Sequence, residues 1–278
     1  MGVNYLYDGS FEGFLTCVYR HYYGESAEGV FPAEIYSQLD MLRYAMTIET
    51  DEELAARVLK AIGEKLSSWD AKRVYRVFRT NEPEKEMKLL RYLELGFKQG
   101  PKIRLLHGHP VVKDVEAADQ RLGREVHRLV GLVRFSELEG GVLYSPITPD
   151  NDVLEFLAPH FSDRYRYDPF VIHDKVRGKA LFAYDKKWRI EPFSGEMFSS
   201  DQKRQGSERQ QEPLLSLSEQ PQSLTPERLL RISESEEDYR RLWKQYFAVM
   251  ATKERVNPKL QRQFVPIRYR QHLPEFES

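Results

Sequence analysis

Cysteine is almost absent from this sequence of 278 residues, in which Cys17 is the single example. One cysteine excludes a disulfide within the chain and any zinc or iron–sulfur site built from cysteines. No apolar run approaches the roughly 18 residues that span a bilayer, so no membrane segment is predicted. The first residues, MGVNYLYDGSFEG, carry neither the basic nor the apolar region of a secretion signal. We therefore expect a cytoplasmic protein.

Sequence motifs of several enzyme classes are also missing. The chain has no glycine-rich phosphate loop, no GxSxG nucleophile motif and no HExxH zinc motif. His107 and His109 form an isolated HxH pair and His160 stands alone, which is more typical of solvent-facing or structural histidines than of a metal site. Cys17 lies within an amphipathic segment, which argues against a cysteine nucleophile. We predict no metal and no cofactor.

Charge is distributed unevenly along the chain. The net charge is −1, yet residues 240–270 contain nine lysines and arginines and a single acid, Glu254. This segment therefore carries +8, and the rest of the chain carries −9. A local excess of this size favours a polyanionic partner more than the global balance suggests.

The N-terminal region is predicted to be mainly helical. Val3 to Asp8 and Tyr44 to Glu49 have the pattern of short strands, and apolar residues from Phe11 to Tyr22 recur with helical spacing behind Ser10. Further helices are predicted from a capping box at Thr50 to about Leu66, from about Trp69 to Arg79, from a start marked by Asn81 and Glu84, with Pro83 in the first turn, to about Gly100, and along a stripe from Val111 to Leu129. These elements define a mainly helical region over residues 1–128.

The following region, residues 129–278, carries most of the β signal. VGLVRFSEL and GVLYSPI flank a hairpin turn at Glu139-Gly140-Gly141, and Pro146 and Pro149 are expected to end the second strand. A helix capped by Asp150 or Asn151 should kink or stop at Pro159. PFVIHD, KALFAYD and KWRIEPF then form three short strands.

The last third of the chain changes character twice. Residues from Ser199 to Thr225 are polar and lack aromatics, which predicts a flexible insertion at about 199–226. Apolar residues from Tyr239 to Met250 form a helical stripe, and a basic, proline-broken tail follows. The expected fold is α+β: a helical N-terminal half packed with a mostly antiparallel sheet, a C-terminal helix and an extended basic tail, in one composite domain. Residues 129–278 also divide into two ββα-like units.

The basic tail is the first candidate site. Its cations can contact phosphates, and Tyr269 can stack on a base. The alternative is an ordinary solvated basic face with the aromatics in the core. The candidate phosphate ligands here are Arg255, Lys259, Arg262, Arg268 and Arg270.

Two further clusters are candidates. His173 beside Asp174 has the composition of an oriented general base, and Lys175 and Arg177 can hold an anion. The alternative is a charged hairpin turn. Alternation places His173, Lys175 and Arg177 on one face if the strand extends that far. Arg128 and Arg134, at a predicted helix-to-strand junction, are groove-lining candidates, although cations near a helix C-terminus also have a structural explanation.

Several segments together resemble one bacterial family, domain-of-unknown-function family 4130. They are YLYDGSFEGFL, HRLVGLVRFSE, PITPDNDVLEFLAPHFSDR, IHDKVRGKALFAYD and, most specifically, LWKQYFAVMATKERVNPKLQRQFVPIRYRQHLPEF. The resemblance implies a role in DNA repair or DNA metabolism, a radical-SAM protein encoded nearby, and a link to uracil-DNA-glycosylase-like domains. It supplies no catalytic residues. A radical-SAM cluster needs three cysteines, so that chemistry would belong to the partner.

Three functions follow from these observations. The leading hypothesis is a DNA-binding accessory to a radical-SAM repair or modification enzyme. The second is a nucleic-acid-processing enzyme, a hydrolase or glycosylase-like activity, that uses His173 and Asp174. The third is a protein-interaction scaffold that makes no contact with DNA, in which the basic tail docks on an acidic partner.

Overall fold

Residues 3–36, 44–138, 141–194, 241–242 and 264–276 are described by a computed structural model. The chain divides into two units: Met1–Glu125 with Asp150–Asp152, and Val126–Pro149 with Val153–Ser278. The insertion predicted at about 199–226 lies outside the described residues, and so does most of the helix predicted from Tyr239 to Met250. Arg241 and Leu242, within that prediction, are helical.

The first unit contains a three-stranded parallel sheet. Its elements are β1 (Val3–Tyr7), α1 (Phe11–Tyr23), β2 (Ala27–Pro32) and β3 (Ala45–Thr47). β1 is central, in the order β2-β1-β3, and pairs in parallel with both neighbours. Ser10 caps α1 by accepting a hydrogen bond from the Gly13 amide. The predictions of β1, α1 and β3 are confirmed.

β2 is an element that sequence patterning missed. Its sequence, AEGVFP, includes Gly29 and Pro32, two residues that usually interrupt strands. A Cβ at position 29 would lie 2.4 Å from the Phe31 ring and 2.7 Å from Oδ1 of Asn4, so any other residue would have to displace these two side chains. Pro32 ends the strand, so it removes no bond from the middle of the ladder.

Four helices and a 3-10 segment complete the first unit. They are α2 (Glu52–Lys65), α3 (Ser68–Phe78), α4 (Lys85–Gln99), the 3-10 segment Gly100–Leu105 and α5 (Pro110–Leu132). Asp51 caps α2, not Thr50, whose hydroxyl instead donates to Asp8. Helix α4 begins later than predicted, because Glu84 has a left-handed backbone with φ 54°. The helical character predicted for this region is confirmed.

Polar groups are buried in pairs in the core of the first unit. The Tyr7 hydroxyl donates to Glu86 at 2.9 Å, and the Tyr92 hydroxyl donates to Asp70 at 2.9 Å. Glu86 and Asp70 are both buried. A buried carboxylate without such a donor would carry a large desolvation penalty, so these pairs fix how α3 and α4 pack in the core.

The second unit contains a five-stranded sheet in the order β4-β5-β6-β7-β8. The strands are β4 (Ser136–Glu137), β5 (Leu143–Ile147), β6 (Phe170–Asp174), β7 (Lys179–Tyr184) and β8 (Lys187–Pro192). Helix α6 (Leu154–Arg164) connects β5 to β6, which run parallel, while the other three pairings are antiparallel. The protein is therefore α+β, and the mostly antiparallel sheet is confirmed.

One prediction around the first hairpin was wrong. The strand expected from Val130 is helical as far as Leu132, and β4 is reduced to two residues. Pro146 lies inside β5, which ends at Ile147, before Pro149. The Leu143 amide points towards β6, so the nitrogen of Pro146 points the other way. On that side β4 pairs only with Leu143 and Tyr144, so proline removes no ladder donor.

Helix α6 and the tail also differ from prediction. Helix α6 begins at Leu154, not behind Asp150 or Asn151, and continues through Pro159 to Arg164. The tail was predicted to be extended, but its described residues 264–276 form the short helix α7 (Ile267–Arg270) and a 3-10 turn at Pro274–Phe276.

A buried carboxylate joins residues 150–152 to the first unit. Glu125, on α5, is 3% exposed and accepts hydrogen bonds from the backbone amides of Asp150 (2.8 Å) and Asn151 (3.0 Å). Asp152 pairs with Arg79 at 2.9 Å.

Glu125→Gln should lower the free energy of unfolding by about 1–3 kcal/mol, because an amide replaces a charged acceptor facing two donors. Urea unfolding measures this, with exposed Glu34→Gln as the control; equal stabilities would contradict it.

The single cysteine should be inert in the folded protein. Cys17, on α1, is 1% exposed, and burial, together with nearby Asp8 and Glu86, raises the pKa of its thiol to about 12. Because the thiolate is the reactive form, we expect no reaction with a disulfide reagent at pH 8 in the native state and one equivalent after denaturation. Rapid native labelling would contradict the burial of this side chain.

Candidate functional site

A polar cluster lies where the two parallel strands β5 and β6 end, within the second unit. β5 ends at Ile147 and β6 at Asp174, and the tail residues that follow Pro266 pack against these ends. The Thr148 hydroxyl donates to the carbonyl oxygen of Arg268 at 3.2 Å, and the Gln271 amide donates to the Thr148 hydroxyl at 3.1 Å. Carboxyl ends of adjacent parallel strands are a common position for binding sites. We call Thr148, Lys175, Arg268, Gln271 and His272 the edge site.

His272 is the half-buried imidazole of the edge site. Its Nε2 lies 3.3 Å from the Thr148 hydroxyl oxygen and 3.3 Å from Nε2 of Gln271. Burial, and then the positive charges of Lys175 and His173, lower the pKa of His272 to about 4. The ring is therefore neutral at physiological pH, with one nitrogen able to donate a hydrogen bond and the other able to accept one.

His173, the predicted general base, is buried beneath the edge site. It is 2% exposed, and its Nδ1 is 2.9 Å from the Tyr144 hydroxyl. A backbone hydrogen bond to Phe193 also holds the ring. Burial and the charge of Lys175 lower the pKa of His173, and Asp174 and that backbone bond oppose them. His173 has the contacts of a hydrogen-bonded core histidine.

Asp174 has a structural role of its own. Its side chain lies on the opposite face of β6 from His173, because neighbouring strand residues alternate. The carboxylate is fully buried, accepts from the backbone amides of Val176 (3.0 Å) and Arg177 (3.2 Å), and pairs with Arg177 Nη1 at 3.0 Å. The strand ends at Asp174, so Arg177 turns back towards it instead of continuing on the face of His173.

The other predicted phosphate ligands are dispersed. Arg134 donates to the carbonyl oxygens of Gly131 and Val133 at the end of α5, which fits the structural explanation. Arg128 is half-buried on α5. Arg270 is half-buried, donates to the Val265 carbonyl and lies 4.7 Å from the Phe276 ring centroid. Arg255, Lys259 and Arg262 lie outside the described residues.

Tyr269 and Arg268 are adjacent in the sequence, but Tyr269 is buried and Arg268 is exposed. Tyr269 is 2% exposed, and the Arg268 guanidinium carbon lies 4.8 Å from its ring centroid, so the ring is not accessible to a base in this structure. Arg268 is exposed and donates to the Tyr269 hydroxyl at 3.1 Å. Tyr269 thus serves as a support on which Arg268 is held at the surface.

Sequence reasoning missed Tyr144, Thr148, Gln271 and His272. Thr148 and His272 are 124 positions apart, so no local spacing relates them. The only available signal was that Gln271 and His272 belong to the closing segment on which the family resemblance depends most. The edge site as a whole offers two exposed cations, Lys175 and Arg268, while the Gln271 amide donates to Thr148 and to His272 within the cluster. The two cations suit the oxygens of a phosphate.

The described part of the chain limits two other classes of site. Within residues 3–36, 44–138, 141–194, 241–242 and 264–276, no three His, Cys, Asp or Glu side chains are grouped so that they could hold a metal ion. Among the helices described, none combines the length and apolar character needed to cross a membrane.

The titration of His272 tests the geometry of the edge site. We expect its ring to stay neutral from pH 8 to about 5, because its pKa is lowered to about 4. Lys175→Gln should raise that pKa towards the ordinary value of about 6.5, whereas Lys187→Gln, on β8, should not change it. NMR titration of the histidine side chains measures both. A midpoint near 6.5 in the unsubstituted protein would contradict the burial of His272.

Comparison with known proteins identifies the family of this chain. No protein of curated function is detectably similar in sequence. A family model described as a domain of unknown function, DUF4130, matches residues 83–275, which is more than half of the chain. The matched residues include α4, α5, all five strands of the second unit and the whole edge site. The chain therefore belongs to the DUF4130 family.

Proposed function

We propose that this protein binds DNA through its backbone phosphates and acts as an accessory to a radical-SAM enzyme of DNA repair or modification. The observation that carries the proposal is the edge site. Arg268 and Lys175 are both exposed there, and Gln271 and the neutral His272 are hydrogen-bonded to each other beside them. Phosphate oxygens accept hydrogen bonds from lysine and arginine side chains, and arginine can donate two in parallel.

Local electrostatics support an anionic ligand. The carboxylate next to Lys175, that of Asp174, is buried and paired with Arg177, so it does not face an incoming phosphate. The two histidines have lowered pKa values, so the positive charge comes from lysine and arginine and does not depend on pH near neutrality. The +8 segment at residues 240–270 adds to this attraction.

The accessory role and its partner rest on the family resemblance. The chain has one cysteine, and Cys17 is buried in the first unit. Three thiolates are needed to hold a radical-SAM cluster, so radical chemistry would require a second protein. A uracil-DNA-glycosylase-like protein is the other partner that the resemblance favours.

If the protein is itself an enzyme, the contacts of its histidines favour His272 over His173 as the catalytic residue. His173 is buried and hydrogen-bonded to Tyr144, and Asp174 is occupied by Arg177. His272 is more accessible and lies beside the Thr148 hydroxyl. If the protein processes nucleic acid by itself, His272 is the better candidate for a general base, although its low pKa makes it a weak one.

Fluorescence anisotropy with labelled single-stranded and duplex DNA tests the proposal. We expect log affinity to fall linearly with log salt between about 50 and 200 mM. The double variant Lys175→Gln/Arg268→Gln should weaken binding and make the salt slope shallower by about 2, because about one unit is lost per phosphate contact. Lys187→Gln, at the far end of β7 and β8, removes one exposed charge and should leave both quantities unchanged.

Other results select the alternatives. Absence of binding at low salt would contradict the proposal and favour a protein-interaction scaffold. Binding with an unaltered slope in the double variant would place the phosphate contacts outside the edge site. The same oligonucleotides, containing uracil or a damaged base, should remain intact on denaturing gels when incubated with the purified protein alone. Cleavage or base loss that disappears in His272→Gln would support the enzyme alternative.

A further inference from the structure

A cavity in the first unit is not explained by the proposed function. It has a volume of about 750 Å³ and lies between the start of α3, the 3-10 segment Gly100–Leu105 and the N-terminal half of α5. Sites for small molecules and cofactors are usually about 300–1,000 Å³. This volume is too large for an inorganic anion alone and suits a small organic molecule. We call it the Trp69 cavity.

Trp69 is a partly exposed aromatic ring that the protein holds in place. Its side chain is 41% exposed, and the guanidinium carbon of Arg73 lies 3.6 Å from the ring centroid. Arg73 is itself buried and donates to Glu116 at 3.1 Å. A large aromatic ring that is held by a buried cation and is still 41% exposed is a candidate stacking surface.

The charged side chains around the cavity favour an anionic ligand. Both carboxylates in its wall are already paired with arginines: Glu116 with Arg73, and Asp119 with Arg76. The 3-10 segment adds Lys102 and Arg104, which are both exposed. The guanidinium carbon of Arg104 lies 5.1 Å from the Trp69 ring centroid, so this cation and the aromatic ring are adjacent. An anionic group at Lys102 and Arg104 can therefore accompany a flat ring at Trp69.

We propose that the Trp69 cavity binds a nucleotide. The base stacks against Trp69 and contacts Leu105, and the phosphate is held by Lys102 and Arg104. Cationic side chains that alternate with aromatic rings are the common arrangement of sequence-tolerant nucleotide binding. The ligand is either a free mononucleotide or the terminal nucleotide of a strand, since both present the same base and phosphate.

This inference does not depend on the edge site. Its residues lie between positions 69 and 120, in the first unit, whereas the edge site lies in the second. The two proposals can therefore fail separately. Loss of DNA binding in Lys175→Gln/Arg268→Gln, with mononucleotide binding retained, would separate one from the other.

Isothermal titration calorimetry of the full chain tests the proposal. The probes are a deoxymononucleotide, the matching deoxynucleoside, inorganic phosphate and a short 5′-phosphorylated oligonucleotide. We expect one mononucleotide per chain, with the nucleoside and phosphate each binding more weakly. Trp69→Ala should weaken binding at least about fivefold, the lower end of what one stacked base contributes. Lys102→Gln/Arg104→Gln should reduce the preference for the nucleotide over the nucleoside.

Matched controls keep the test decisive. Trp188→Ala removes a similarly exposed tryptophan from β8, and Lys113→Gln removes an exposed lysine of α5 that does not line the cavity. Neither should change affinity. Trp69→Phe keeps an aromatic ring and should retain most binding, which guards against loss of fold in the alanine variant.

The calorimetric results distinguish a free mononucleotide from a terminal nucleotide, and they can also overturn the inference. Mononucleotide binding that depends on Trp69 supports a free ligand, and oligonucleotide binding alone with the same dependence supports a terminal nucleotide. Phosphate binding as tight as that of the nucleotide would overturn the inference, because the base would then contribute nothing. So would an absence of binding by every probe, or binding that the Trp69 and Lys102/Arg104 variants leave unchanged.

Discussion

The second unit depends on the burial of one charged group, the carboxylate of Asp174. A buried carboxylate must be paired and hydrogen-bonded or its desolvation would oppose folding. Here the pairing is supplied within three residues, by two backbone amides and the side chain of Arg177. This local solution fixes the turn that follows β6. It also sends Lys175 outwards to the edge site, so a requirement of the core determines where a surface cation lies.

Burial also affects two histidines of the second unit, His173 and His272. Both are removed from water, completely or in part, and both lie near Lys175, so both have lowered pKa values. A neutral imidazole adds hydrogen bonds without adding charge, so these two histidines do not add to the positive charge that Lys175 and Arg268 bring to the edge site. Tyr144 and Tyr269 support this arrangement from below: one holds His173, and the other carries Arg268. The aromatic side chains of this region thus serve as scaffolding for polar groups.

Sequence periodicity predicted the elements whose signals are local. Ser10 marked the start of α1, and β6, β7 and β8 followed from short β-rich runs between turns. It failed where tertiary context overrides propensity. β2 was not predicted because it contains Gly29 and Pro32, which are unusual in strands. Helix α5 continues through residues that also suit a strand. Proline is tolerated at position 146 of β5 because the neighbouring strand β4 is too short to pair with it. These are cases where the neighbour, and not the residue, decides the structure.

The candidate sites were harder to predict than the elements. Composition identified Lys175 and Arg268, since a basic excess is visible in the sequence, but it could not separate Arg268 from the buried Tyr269 beside it. Thr148 and Gln271 come together only through the return of the tail to the sheet, across 123 positions. The Trp69 cavity had no signal at all, because Trp69 was assigned simply to a helix start. Ligand sites made from distant segments need the fold first.

The order in which residues are synthesised affects how the first unit folds. The first unit is not continuous: it needs Asp150–Asp152 in addition to Met1–Glu125. As the chain emerges from the ribosome, Glu125 is synthesised well before the amides of Asp150 and Asn151 that neutralise its burial. The N-terminal unit therefore cannot complete its packing until the first hairpin of the second has been made. If the chain folded strictly in order, domain by domain, Glu125 would lack these two donors until residues 150 and 151 had been synthesised.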